Sequence, residues 1–448
     1  MFKKFFTYPV CLVLFLSIVG SILFGSLLRH HYLGGERLKS LQKIAVIIAE
    51  IPKNARDMIK YRTINLNKLS PLKKHKDKKR FEQFIENKRN ALLILPRYDH
   101  SLSRSVIDIV DLNNFEIIHT YKHDIDEMYN KITETEQFPK LKVDNSPTRF
   151  VYLHPLLYED GSLITMDSYY PLFKIDFCSK LQWINEEEFH HAQELDREGN
   201  IWIGGTMSPK SQHVKKYSIE DFKDDAIVKI NTDGKILYKK SVTELLIENN
   251  ILSNNFAYTA SNSKELDPIH LNDIQPALSS TEYWKQGDLF ISIRNQNSII
   301  HYRPSTNKVI NYIIGPFAQQ HDVDIISDKE ISIFNNNNFF VDNQYSEVLI
   351  YNFETNKFRK LFNEQLKKEN FKTISQGLSH IFKDESLMVE EQNHGRIILF
   401  NNRGEKEWEF VNKDKNGDIG IVSWSRIIED ELLIEKFKLA VKNKKCLN

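Results

Sequence analysis

A strand–turn–strand pattern recurs six times along this sequence, and it restricts the possible folds more than any other feature. The copies read SVIDIVDLNNFEII from Ser105, FKIDFCSKLQWI from Phe173, and AIVKINTDGKILY from Ala226. They continue as SIIHYRPSTNKVI from Ser298, EVLIYNFETNKF from Glu347, and RIILFNNRGEKEW from Arg396. Apolar and β-branched residues on either side of an Asn, Asp or Gly turn read as a hairpin. Successive copies start about 58 residues apart on average, a period that leaves room for four short strands per unit. Four-stranded units repeated radially build a β-propeller. The expected fold class is therefore all-β, a six-bladed β-propeller over residues 91–448.

A second register runs ahead of the hairpins. His270 opens HLNDI and His321 opens HDVDI, each before an apolar run, LFISI at 289–293 and ISIF at 331–334. His191 opens HAQELDREGNIWI, His154 opens HPLLYEDGSLIT, and Gln376 opens QGLSHIFKDESLMV. In a propeller the first strand of each blade lines the central channel, so one position per blade forms a ring about the axis. His191, His270 and His321 would then converge although they are distant in sequence. The plainer reading is that they pack together as channel lining. Arg294 closes the run FISIR; it reads either as a solvated strand end or as a forked donor for an oxyanion.

The motifs HLNDIQ, ISIRNQNSII and QHDVDII…ISIFNN resemble those of the bacterial arylsulfate sulfotransferase family, six-bladed enzymes that need no phosphoadenosyl donor. The similarity covers roughly residues 150–410. It implies that His321 is the residue transiently sulfated. It further implies that His191, His270 and Arg294 complete the catalytic set, and that Asn272 and Asn295 bind substrate. The implied reaction moves a sulfuryl group from an aryl sulfate ester to a phenolic or other hydroxyl acceptor. No cofactor or metal is expected. This chain has Asn335-Asn336-Asn337 where the family often shows Asp-Asn-Gly. The alternative from another class is a catalytically silent propeller that binds a sulfated or carboxylated ligand, or serves as an interaction scaffold.

Sulfuryl transfer resembles phosphoryl transfer, so positioning and charge stabilisation supply most of the catalysis. A neutral histidine is a competent nucleophile. Arg294 offers a permanent charge with forked donors, and Asn272 an amide donor. His270 or His191, if protonated, would neutralise the departing phenolate. Asp322 and Asp324 flank His321, and the sequence leaves their roles open. Three histidines would also suit zinc or iron, but a neighbouring arginine and asparagine favour an oxyanion.

Residues 5–28 carry no charge and suffice to span a bilayer as a helix. No small-x-small cleavage site follows, so an uncleaved anchor over residues 1–33 is expected rather than a signal peptide. Positive charges flank both ends (Lys3 and Lys4; Arg29, Arg37, Lys39 and Lys43), so counting them does not orient the span. The family resemblance implies a propeller on the exported side. Residues 34–90 read as a basic, helical, membrane-proximal linker. It contains an amphipathic helix ending near Pro52, the run KKHKDKKR at 73–80, and a helical FEQFIENK. That basic run reads as a solvated face, with contact to anionic lipid as the alternative. Residues 430–437 are expected to supply a closing strand. Cys11 lies in the apolar segment and Cys446 in the tail, so no structural disulfide with Cys178 is expected. A net charge of +1 argues against nucleic acid as a partner. The chain has no Gly-rich phosphate loop, CxxC, HExxH or GxSxG.

Overall fold

A computed structural model of the chain describes all residues except 1–7, 34, 36, 63–68, 87, 140, 143–145, 217–221, 252–265, 340–343 and 447–448. Lys3 and Lys4 lie outside the described residues. By contacts the chain divides into two units, Met1–Leu66 with Leu252–Leu266, and Asn67–Ile251 with Asp267–Asn448.

The first unit contains two helices. Tyr8–Tyr32 has 25 residues, reaches a mean hydropathy of 2.5 over an 18-residue window and buries none of its residues, so it is long and apolar enough to cross a membrane. Lys39–Arg62 follows and exposes Leu41, Ile44, Ile48 and Ile51, spaced to lie along one face. It continues through Pro52 instead of ending there. The proline removes one N–H donor from the helix without breaking it.

The second unit is mostly β and propeller-like. All six hairpins read from the sequence are formed. Two sheets have four strands in chain order. The first holds Leu271–Pro276, Leu289–Ile293, Ser298–Arg303 and Lys308–Ile314; the second holds His321–Ile325, Glu330–Asn335, Glu347–Asn352 and Lys357–Leu361. A third sheet holds Leu92–Asp99, Arg104–Asp111 and Glu116–Tyr121, with Arg426–Ile428 from the chain's far end on its other edge. The outermost strand is the exposed one: Leu289–Ile293 is wholly buried, whereas Lys308–Ile314 buries Ile313 alone. Neighbouring sheets pack face to face through apolar residues such as Phe290, Ile299, Ile331 and Leu349.

Several expectations are corrected here. The strands form five sheets, not six separate four-stranded ones, because Leu181–Leu195 is a single 15-residue strand that pairs along both edges. It joins the strands from Leu153 to Ser241 into one seven-stranded sheet. The sheet holding Leu378–Ile381, Leu387–Glu391, Arg396–Phe400 and Lys406–Val411 gains a fifth strand, Phe81–Gln83. The FEQ of that strand was expected in a helix. Pairing with the open edge of Lys406–Val411 satisfies its backbone instead.

The basic run at 73–80 is a solvated face only in part: Lys73, Lys76, Asp77, Lys79 and Arg80 are exposed, but three of its residues turn inward. Lys74 and His75 pair with Glu391, and Lys78 with Glu409. Residues 430–437 give no strand: Asp430 caps the helix Glu431–Asn443, whose Ile434 and Phe437 turn into the core at helical spacing. The closing strand is Arg426–Ile428. That helix carries the tail back to the turn after Tyr170–Ile175, and Cys178 and Cys446 form a disulfide with Cα atoms 5.4 Å apart. Sequence position hid the pair, because 268 residues separate the two cysteines.

Candidate active site

The first strands bring the histidines together by breaking regular β geometry. Their ladders shift register at Leu153/Leu156, His190/Gln193, Leu271/Asp273 and His321/Val323. Such bulges re-aim side chains. At or beside them, non-glycine residues take positive φ: His154 (41°), His191 (64°), His270 (50°) and Asp322 (31°). Each such backbone costs about 1–3 kcal/mol and persists only where its surroundings determine it. The surroundings here are carboxylates that stitch one sheet to the next. Asp225 Oδ2 accepts from Leu271 N, Asp273 Oδ2 from Val323 N, and Asp322 Oδ2 from Ser379 N, at 2.7, 2.7 and 2.8 Å. Glu390 accepts from the amides of Trp424 and Ser425.

Four side chains named from the sequence lie together. The ring of His191 lies 5.2 Å from that of His270 and 6.2 Å from that of His321. Arg294 Nη1 is 2.9 Å from His270 Nε2. Trp424 closes the group, about equally distant from His191 and His321 at 6.2 and 6.1 Å. Asn272 is 1 % exposed, and its Nδ2 donates to Gln320 O at 2.7 Å, while its Oδ1 has no hydrogen-bond partner. Asn295 is exposed and donates to the Asp267 carbonyl at 2.6 Å. Among the described residues, no contact joins it to the histidines. His154 lies edge-on to Trp424 at 5.4 Å, with Nδ1 3.2 Å from Arg426 Nη2 and Nε2 3.6 Å from Glu194 Oε1.

The bonds assign protons. Asn336 Nδ2 donates to the carbonyls of Thr373 and Gln376, at 3.0 and 2.8 Å, which turns its Oδ1 toward His321. That oxygen can only accept, so His321 Nδ1 carries the hydrogen, at 2.7 Å. His321 Nε2 therefore has a lone pair, which accepts from Gln376 N at 3.1 Å. Burial pushes His321 down to about 3; the Arg294 and His270 charges push the same way, against the bond to Asn336. Burial also holds His191 well below the ordinary range, with the neighbouring histidines and Arg294 adding to it. His270 Nδ1 lies 2.8 Å from Asp267 Oδ2, and its Nε2 faces the Arg294 guanidinium, which only donates. His270 thus orients Arg294. A guanidinium on that nitrogen also occupies the position a metal would need.

Asp322 and Asp324 do not touch the His321 ring. Asp322 holds Ser379, as above. Burial, with Glu194 nearby, pushes Asp324 up to about 6. Sequence reading placed Gln376 in the histidine register and Asn336 in its asparagine triplet without giving either a role, and it missed Trp424, His190 and Asp225. The three consecutive asparagines and the paired histidines were the available signals. Trp424 and Asp225 carry none: Trp424 arrives from the C-terminal end, and Asp225 from a strand two places away in the sheet that holds His190 and His191.

Fold and site together define a propeller-like protein whose buried cluster sets an unprotonated imidazole nitrogen near a guanidinium. A model of the Arylsulfotransferase (ASST) family matches residues 154–413, and the chain belongs to that family. No curated protein matches the chain. Among solved structures, a protein of unknown function from Bacteroides caccae aligns at 11% identity with a TM-score of 0.47, covering 77% of this chain and 100% of its own. TolB from Acinetobacter baumannii aligns at 8% identity and a TM-score of 0.45, covering 77% and 68%. An inactive virginiamycin B lyase from Staphylococcus aureus with quinupristin aligns at 10% and 0.37, covering 74% and 87%.

Proposed function

We propose that the protein is a membrane-anchored arylsulfotransferase acting by double displacement through His321. The observation that carries this is the lone pair on His321 Nε2, fixed by Asn336 in a pocket that also holds Arg294. In the first half-reaction Nε2 attacks the sulfur of an aryl sulfate, the aryl O–S bond breaks, and a phenolate leaves. In the second, the acceptor oxygen attacks the same sulfur, and the S–Nε2 bond breaks with its electron pair returning to nitrogen. Arg294, oriented by His270 and Asp267, offers charge and donors to the equatorial oxygens. Gln376 N must leave Nε2 before attack, and it is then free to donate to a sulfuryl oxygen.

We read the long strand Leu181–Leu195 as shared by two blades, which would give six in all. The propeller would occupy residues 91–448, tied by the linker at 34–90 to an anchor at 1–33. An exported location is supported by the Cys178–Cys446 disulfide, since oxidising compartments favour such bonds. The silent ligand-binding alternative draws on one observation, that Gln376 N already occupies the lone pair of Nε2. An aryl sulfate with a coloured phenol decides between them. Colour release that rises with added phenolic acceptor and vanishes in His321→Ala is expected. Binding without release would leave the silent propeller.

A further inference from the structure

Behind His191 lie two buried groups that this reaction has not used, His190 and Asp225. His190 is 1 % exposed and pairs across the ladder with Gly204. A Cβ at position 204 would come within 2.9 Å of the His190 ring, so the glycine makes its room. Tyr169 lies over the ring at 5.0 Å between centroids. His190 Nδ1 is 2.9 Å from His191 Nδ1, so one of these nitrogens carries a proton and the other accepts it. His190 Nε2 has no hydrogen-bond partner, and the carboxylate it faces is Asp225, with Oδ1 at 3.7 Å. Asp225 is held in place by the Leu271 amide, one residue from His270.

We propose that Asp225 and His190 form a positioning dyad that keeps the proton of His191 on Nδ1 and leaves its Nε2 lone pair bare. A carboxylate facing one nitrogen of an imidazole holds the proton there and leaves the other nitrogen as an acceptor. His190 then carries hydrogen on Nε2 and accepts at Nδ1 from His191. The inference rests on the sulfotransferase reading and deepens it by naming the base of the second half-reaction. As the acceptor oxygen bonds to sulfur and the S–Nε2 bond of His321 breaks, the hydroxyl proton moves to His191 Nε2. The imidazolium so formed returns its proton to solvent. His190 and Asp225 touch no substrate. Burial first, then the nearby His270 charge, pushes His190 down to about 3, against the Gly205 carbonyl and Asp267, so it stays neutral as the dyad requires. Burial pushes Asp225 up to about 7, with Asp267 and Asp224 adding to it and the Leu271 amide and Lys223 opposing. The lock is therefore complete above that value.

The test uses the full chain in detergent at about pH 8, a coloured aryl sulfate, and two acceptors, an ordinary phenol and an acidic nitrophenol. His190→Leu removes the acceptor for His191, and His190→Asn restores a side-chain oxygen near the same position. In His190→Leu the burst of released phenol is expected to persist, while transfer to the ordinary phenol falls on the order of 10²-fold. Transfer to the nitrophenol, already ionised, should fall only a few fold, about what the loss of a positioning contact gives. His190→Asn should recover most of the loss. If His190→Leu does not fold, Asp225→Asn is expected to give the same split. Nitrogen NMR of ¹⁵N-histidine protein reads the dyad directly, with the His191 signal assigned by its loss in His191→Gln. The proton should sit on Nδ1. A proton on Nε2, or equal loss of burst and transfer whatever the acceptor, would overturn the dyad. A wild type that cleaves no aryl sulfate would instead overturn the sulfotransferase reading, and the nitrogen spectra would still decide the dyad.

Discussion

Arg294 shows how one side chain carries charge into a pocket without being needed for the fold. It is half-buried at a strand end, and its guanidinium rests on His270, which Asp267 orients. Arg294→Ala should lower kcat by about 10²–10³, the loss typical of one oxyanion donor, with the melting temperature little changed. Asn336 acts differently, since it touches no substrate and fixes the His321 proton. Asn336→Leu keeps the volume but leaves the Thr373 and Gln376 carbonyls without their donor. That should cost about 1–3 kcal/mol of stability by urea unfolding, and should also lower the phenol burst. A stable variant with an unchanged burst would show that Asn336 is dispensable to His321.

At the scale of elements, both ends of the chain are sewn onto the propeller-like unit. At the N-terminal end, Glu391 is fully buried against His75, Lys74 and Arg396. Burial opposes its charge, but the His75 bond and the two cations pull it down to about 2. Glu391→Ala should cost about 1–3 kcal/mol, because His75 and Lys74 lose a buried acceptor while Arg396 keeps Glu409 and Glu369. Its neighbour Gln392 bonds Gln376, so loosening this end should also be felt at His321. At the C-terminal end, the disulfide closes a loop of 268 residues around most of the unit. Cys446→Ser should lower stability by about 2–4 kcal/mol, read as a lower melting temperature without reductant. Equal melting of reduced and oxidised protein would contradict this.

For the whole molecule, the buried neutral histidines set how stability responds to acid. His321 is held down to about 3 when folded, against an ordinary value of 6.5. Between those values the unfolded chain binds a proton that the folded chain refuses, so stability is lost as pH falls from 6.5 toward 3. Asp225 and Asp324, raised to about 7 and about 6, work in the opposite sense above their ordinary value of 3.8. A comparison isolates the histidine: relative to His321→Gln, the wild type should lose stability steadily through that window. A constant difference would mean that His321 titrates normally. The Tyr8–Tyr32 helix belongs to this scale too. Under the anchor proposal, carbonate washing should leave the intact chain with the membranes. A mature N-terminus beyond Leu28 would show a cleaved signal instead.

The sequence alone determined the local elements, because hairpins are specified by alternation and turn residues within a dozen positions. Ser298–Arg303 with Lys308–Ile314 is such a pair, and so is each of the other five. It also marked His191, His270, His321 and Arg294, because one register placed them at equivalent points of a repeat. Partners brought from elsewhere in the chain were beyond its reach. Asp225 faces His190 from two strands away, Trp424 returns from the C-terminal end to face His191, and Cys446 reaches Cys178 only because a helix folds back. FEQ at 81–83 became a strand, against its helical pattern, because an open sheet edge was there to pair with it. Sequence period records what a segment can bury by itself. Protonation, pairing across sheets and the fate of the chain ends depend on which distant groups arrive beside it, and only the tertiary structure decides that.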